Sequence, residues 1–190
     1  DRRHGRSHPG AQLYRTAWPT GLHQSEHRWH HVHQDRRSLP DKFPQDRRKT
    51  LLVNRNARAD DDHIGKFNGL GGKMEPKEDI ATCMLREIRE EAGIECRHMI
   101  LRGTINWTGF GTRGEDWLGF IFLIDQFDGN PYSHNEEGDL AWHIIDEIES
   151  LSLWEGDRLF LSMVFDEDPR PFHGYMPYLN NRVVDWSYVR

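Results

Sequence analysis

At 190 residues the chain is long enough for one domain with a real core plus an extension. Its net charge of −6 is uneven: residues 1–49 carry eleven Lys/Arg against five Asp/Glu, a balance of +6, and residues 50–190 carry fourteen against twenty-six, a balance of −12. An acidic main domain lacks the basic footprint that nonspecific duplex binding requires and suits a protein that gathers divalent metal and small anions, so nucleic acid is not an expected partner.

Two cysteines, Cys83 and Cys96, are too few for a disulfide framework and point to a reducing compartment. The longest apolar run, Leu118 to Ile124, is far too short to cross a membrane. No charged-then-apolar leader opens the chain. The expectation is a cytoplasmic protein with no membrane partner, a monomer with a dimer as the alternative.

Residues 1–49 hold scattered apolar residues without period, seven of the twelve histidines, and Pro9, Pro19, Pro40 and Pro44. Low hydrophobicity with excess charge predicts an extension that does not fold. The cluster His27, His30, His31 and His33 reads as part of that tail rather than as a metal or nucleic-acid site. The folded domain is expected over 50–190, with Leu51-Leu52-Val53 as its first strand. Asp60-Asp61-Asp62 reads as a solvated turn in the polar loop that follows.

Phe67 to Gly72 leads into a helix that opens beside Glu78 and Asp79 and stops at Gly93. Ala81, Leu85, Ile88 and Ala92 stand at i, i+4, i+7 and i+11, a stripe predicted to face the core. Glu87, Glu90 and Glu91 stand at i, i+3 and i+4 on another face, where like charges repel unless a cation neutralises them. Carboxylate oxygens suit hard ions, Mg²⁺ first and Mn²⁺ as an alternative. Arg86, four residues before Glu90, is placed to pair with it.

Beyond the helix, strands are predicted at His98–Trp107 and Trp117–Ile124, joined by the Thr108–Glu115 loop, with a turn at Asp128–Pro131. Glu136 and Glu137 precede a short strand, Leu140–Ile145. A second amphipathic helix spans about Asp157–Asp166, and a closing hairpin, Phe172–Tyr178 and Arg182–Tyr188, turns at Asn180-Asn181. The order gives an α/β fold, a mixed sheet sandwiched between helices.

The stretch Gly72–Ile94 resembles a known family. It matches the Nudix box, G-x5-E-x7-R-E-U-x-E-E-x-G-U with U aliphatic, at Gly72, Glu78, Arg86, Glu87, Ile88, Glu90, Glu91, Gly93 and Ile94. The resemblance implies the Nudix α/β/α fold and metal-dependent hydrolysis of nucleoside diphosphate derivatives. It implies metal ligation by Glu87 and Glu91, help from Glu90, the Gly72 carbonyl as a further ligand, and Arg86 as an orienting group. The base that takes a proton from water is Glu91 or Glu137, Glu137 also being a candidate ligand.

Outside the box, Phe67-Asn68-Gly69-Leu70-Gly71-Gly72-Lys73 is similar to the W-N-G-F-G-G-K segment of MutT-like oxidised purine nucleoside triphosphatases. Trp154-Glu155-Gly156-Asp157 is similar to their W-P-D-D, and Phe172-His173-Gly174-Tyr175 to their F-H-G-Y. The resemblance implies a substrate pocket of Asn68, Phe67, Lys73, Trp154 and Asp157, with the first paired aspartate replaced by Gly156, and a purine triphosphate such as 8-oxo-dGTP as substrate. The alternatives are another nucleoside diphosphate derivative or a noncatalytic nucleotide sensor. The S-Q-P-W-P-F-P tract of NADH pyrophosphatases is absent, and Gly109-Phe110 stands where ADP-ribose pyrophosphatases often carry proline.

Overall fold

The computed structural model describes residues 30–34, 48–57, 64–111 and 113–190. The strands are β1 (His30–Gln34), β2 (Lys49–Arg55), β3 (Phe67–Asn68), β4 (Glu95–Phe110), β5 (Glu115–Asp128), β6 (Gly138–Ile144), β7 (Phe172–Leu179), β8 (Arg182–Val183) and β9 (Ser187–Val189). The helices are α1 (Ile80–Ala92) and α2 (Asp157–Phe165), with a 3₁₀ segment at Ile145–Ser150.

Nine strands form one mixed sheet in the order β3-β2-β1-β5-β4-β7-β8, with β6 also on β2 and β9 also on β7. β2 is the hub. β6 runs antiparallel along its whole length, while β1 and β3 share its other edge, Leu51 meeting Val32 and Val53 meeting Asn68. β1 then lies parallel to β5, and β7 parallel to β4.

The alternation of β2 sets the layers. Leu51 and Val53 join the cluster of Met84, Ile88, Ala92 and Ile124 under α1, and Leu52 joins that of Ile105, Ile121, Phe160 and Val164 under α2. A strand buried on both faces reads as a continuous apolar run, which is what Leu51-Leu52-Val53 is. The sheet lies between α1 and α2, as the element order predicts.

Four features differ from the sequence reading. β1 falls inside residues 1–49, a stretch expected not to fold; the remainder of that stretch up to residue 47, with His27 and the four prolines, lies outside the described residues, as do Asp60, Asp61 and Asp62. The buried face of α1 is Cys83, Met84, Ile88 and Ala92, while Leu85 is 38% exposed, so the helix is turned about one position from the expected stripe. β4 and β5 are longer than expected and close to a short turn, because Gly109 adopts φ 65° at a register shift and lets β4 continue to Phe110. The last hairpin turns at Asn180 and Asn181, φ 52° and 61°, as expected for a two-residue turn, but its return arm is broken into β8 and β9.

Candidate active site

α1 is capped at both ends by residues its sequence supplies. Asp79 Oδ1 accepts from the backbone N–H of Ala81 (2.9 Å) and Thr82 (3.0 Å), and Gly93 closes the helix in the left-handed region. Asp79 is therefore the N-cap itself. The helix so fixed carries Arg86 and Glu90 on the side away from Met84 and Ile88, with Glu87 and Glu91 between that side and the buried stripe.

Arg86 organises this face. Its Nε and Nη2 donate to the two oxygens of Glu78 at 2.9 and 3.0 Å, and Nη2 also donates to the Lys73 carbonyl at 3.0 Å. Nη1 donates to Glu87 Oε1 at 2.8 Å and to Glu90 Oε2 at 3.1 Å. These five bonds match the five N–H donors of a guanidinium. The expected pair with Glu90 is present, but the fork on Glu78 is the larger connection, and it fastens the loop before the helix to the helix. Hydrogen bonding from Arg86 holds Glu78 below the usual carboxylate range, and Glu78 in turn raises the guanidinium above its already high value. Lys73 thus enters through its backbone.

Glu87 lies against Gly72: a Cβ added there would stand 2.2 Å from Glu87 Oε1, so only glycine lets the loop and the carboxylate approach this closely. Burial raises the Glu87 carboxyl despite the opposing pull of Arg86. Glu91 Oε2 accepts from the Gly71 N–H at 2.7 Å, and its carboxyl is raised well above the ordinary value, first by burial and then by the charge of Glu137. Glu137 pairs with Arg55 Nη1 at 2.6 Å. Asn135 ties this corner together: Nδ2 donates to the Glu91 carbonyl at 3.2 Å, and Oδ1 accepts from the N–H groups of Glu137 and Gly138 at 2.8 and 3.0 Å.

Arg55 and Asn135 were not foreseen. Arg55 ends β2 and reaches Glu137 across the β2–β6 pairing, a neighbour 82 positions away along the chain. Glu90, by contrast, is exposed and touches the site only through Arg86.

Among the described residues no three His, Cys, Asp or Glu side chains stand as a ready metal cage. The chemistry of the face nevertheless fits a hard cation. Its donors are all oxygens, two of its carboxyls are pushed up, first by burial and then by neighbouring carboxylates, and its protein cations are bonded at the edges.

The other half of the site lies where β3 meets the start of α2. Phe67 N–H donates to the Ser152 carbonyl at 3.0 Å and Lys66 Nζ to the Leu153 carbonyl at 3.2 Å. The Lys66 ammonium also lies 5.3 Å from the centroid of the half-buried Trp154 ring. Phe67, Gly69 and Asp157 line one small cavity of about 10 Å³ with Leu52 and Phe160, room for about one water. Asn68 and Asp157 are each 5% exposed, and Asn68 Oδ1 and Asp157 Oδ2 have no hydrogen-bond partner among the described residues. Asp157 is the first residue of α2, with Gly156 at the cap position. Burial raises its carboxyl well above the ordinary value, against the pull of a backbone hydrogen bond at Trp154 and the charges of Arg158 and Lys66.

Residues 32–164 match the NUDIX domain model, which takes in most of β1 and of α2 as well as the acidic helix. The chain belongs to the Nudix family. It is 36% identical over 120 residues to the uncharacterised Nudix hydrolase YvcI of Bacillus subtilis, covering 61% of this chain and 71% of that protein. It is 29% identical over 120 residues to the oxidized purine nucleoside triphosphate hydrolase of Danio rerio, covering 63% and 74%. The MutT protein of Bacillus halodurans shares the fold, with a TM-score of 0.67 at 24% identity over 84% of this chain and 94% of that one. The protein is thus a Nudix hydrolase, from a family that hydrolyses nucleoside diphosphate derivatives and generally uses divalent metal. Among the described residues no helix is long and apolar enough to cross a membrane.

Proposed function

We propose that this Nudix hydrolase cleaves purine nucleoside triphosphates, oxidised ones such as 8-oxo-dGTP included, to the monophosphate and pyrophosphate with Mg²⁺ or Mn²⁺. The observation that carries the reading is that Asn68 Oδ1 and Asp157 Oδ2 are buried with no hydrogen-bond partner among the described residues. An unpaired buried polar atom costs about 1–3 kcal/mol, so two of them, one beside Phe67 in the chain and one at the start of α2, argue for a ligand that pairs with them. A purine edge offers such pairing, and an aromatic face beside it stacks on any base. The resemblance to the Danio rerio enzyme supports the same substrate class.

Glu87, Glu91 and the Gly72 carbonyl would hold the cation, with Glu90 and Glu137 as the further oxygens within the acidic face. When bound, the metal neutralises phosphate charge and makes water a better nucleophile at neutral pH. Arg86 orients Glu87 and Glu90 and fixes the Lys73 carbonyl, so the loop over the phosphates keeps its place. A water oxygen attacks phosphorus, the bridging oxygen leaves with pyrophosphate, and Glu91 Oε takes the proton that the water loses. Arg55 keeps Glu137 in position beside Glu91.

The test is turnover of 8-oxo-dGTP, dGTP, dATP, ADP-ribose and NADH with and without Mg²⁺, products separated by chromatography. Metal-dependent release of monophosphate and pyrophosphate from the purine triphosphates is the expected result. Turnover confined to ADP-ribose or NADH would sink the purine pocket. Tight nucleotide binding without any turnover would make the protein a sensor.

A further inference from the structure

Gly156 precedes Asp157 at the cap of α2, and it is buried. Its φ of −63° suits any residue, so backbone conformation does not demand glycine there. Space does. A Cβ added to Gly156 would stand 2.3 Å from the Tyr178 hydroxyl and 2.7 Å from Met176 Sδ. The hydroxyl thus fills the volume into which a side chain at 156 would project.

Tyr178 is well placed to carry a polar group there. Its ring stands edge-on to Phe110 with centroids 4.9 Å apart, which fixes the direction of the phenol. Among the described residues its hydroxyl donates to Met176 Sδ at 3.4 Å, a weak bond. A half-buried hydroxyl whose acceptor among the described residues is a thioether keeps its capacity to accept, and to donate to a better partner. On its outer side Tyr178 lines an open cleft of about 560 Å³ with Gly109, Gly111, Leu179 and Asn181. The phenol therefore lies between that cleft and the buried residue preceding Asp157.

We infer that Tyr178 is a specificity-determining residue whose hydroxyl takes the position vacated at Gly156 and completes, with Asn68 and Asp157, the polar edge that meets the purine. This rests on the purine-triphosphate reading above. The consequence is chemical. A carboxylate at 156 would only accept when ionised, whereas a phenol donates or accepts by rotating its O–H. The pocket should therefore take 6-oxo and 6-amino purines with comparable efficiency, within about 10-fold in kcat/KM.

The experiment measures kcat and KM for dGTP, dATP and 8-oxo-dGTP on the full chain carrying Tyr178→Phe, Gly156→Ala or, as a control, Tyr175→Phe. Tyr178→Phe deletes the hydroxyl and Gly156→Ala displaces it, so either variant carries the test if the other fails to fold. Both should raise KM for the purine triphosphates by roughly 3- to 10-fold, the worth of one neutral hydrogen bond. Tyr175, an exposed tyrosine whose hydroxyl meets Thr108, should leave KM unchanged. A purely structural role for Tyr178 would instead lower the thermal midpoint without moving KM, and that result overturns the inference while sparing the proposed function. A wild-type guanine-to-adenine ratio beyond 100-fold overturns it too. Failure of the wild type to turn over any purine triphosphate sinks both.

Discussion

The loop from Asn68 to Gly72 joins two regions built in opposite ways. On the α1 side every carboxylate has a donor: Glu78, Glu87 and Glu90 on Arg86, Glu91 on the Gly71 N–H, Glu137 on Arg55. On the α2 side two buried oxygens, of Asn68 and Asp157, have none among the described residues. Charge is too costly to bury unpaired, so the acidic face is held by protein cations and amides at its margins. Neutral polar atoms cost less to leave unsatisfied, and leaving them so shapes a surface for a ligand. The first region is set up for charge, the second for hydrogen-bond pattern.

The largest expected effect breaks the first region. Glu91→Gln removes the proton acceptor and one buried charge while keeping an oxygen for the Gly71 N–H. Activity should fall by about 10²–10⁴-fold. Stability without metal should not fall, because the burial of an ionisable carboxyl and, after it, the repulsion with Glu137 and Glu87 disappear. A gain of 1 kcal/mol would appear as about 2–4 °C in the thermal midpoint at this size. A variant that loses activity and also melts markedly lower would mean that Glu91 is a structural residue, and the contrast between the regions would fail.

Arg86→Ala should act the other way, on stability first. It strands Glu78, Glu87 and Glu90 and frees the Lys73 carbonyl. Charged hydrogen bonds are worth about 1.5–3 kcal/mol each, but Glu90 is well exposed and contributes little, so a net loss of about 2–3 kcal/mol is expected. Denaturant unfolding of Arg86→Ala and Arg86→Lys checks this. Lysine keeps the charge without the fork and should recover less than half. Full recovery by lysine would show that charge alone, and not five-point geometry, holds the loop.

What was legible before the structure followed the range of each interaction. The Asp79 and Gly93 ends of α1 and the carboxylates between them are local patterns, and they stand where their spacing puts them. The Asn180-Asn181 turn is equally local. The helix phase was misjudged because Met84 and Leu85 are both apolar neighbours and only the packing against Val53 and Ile124 selects Met84. β1 was missed because His-His-Val-His-Gln has no strand-like alternation of its own; it is a strand because β2 and β5 leave a place between them. Arg55 and Asn135 were missed because their partners lie 82 and 44 positions away. Tyr178 carried no signal at all, since its role depends on what Gly156 lacks.

The smallest effect sharpens the second region. Asp157 faces Lys66, Arg158, Glu155 and Tyr178, and burial outweighs the two cations in raising its carboxyl. Its unfolded value is near 3.8. Between that pH and the raised folded value the native state holds a proton that the unfolded chain has released, so stability falls as pH rises through the window, by at most about 1.4 kcal/mol per unit. Asp157→Asn is neutral at every pH and lacks this slope. Carboxylates held low by arginine, such as Asp168 on Arg170 and Glu78 on Arg86, push stability the opposite way in both proteins and cancel in the difference. The stability of Asp157→Asn relative to the wild type, from denaturant unfolding between pH 4 and 8, should therefore rise toward neutral pH. Parallel curves would mean that Asp157 ionises as freely in the fold as in water, and the contrast between a charged region and a neutral one would collapse.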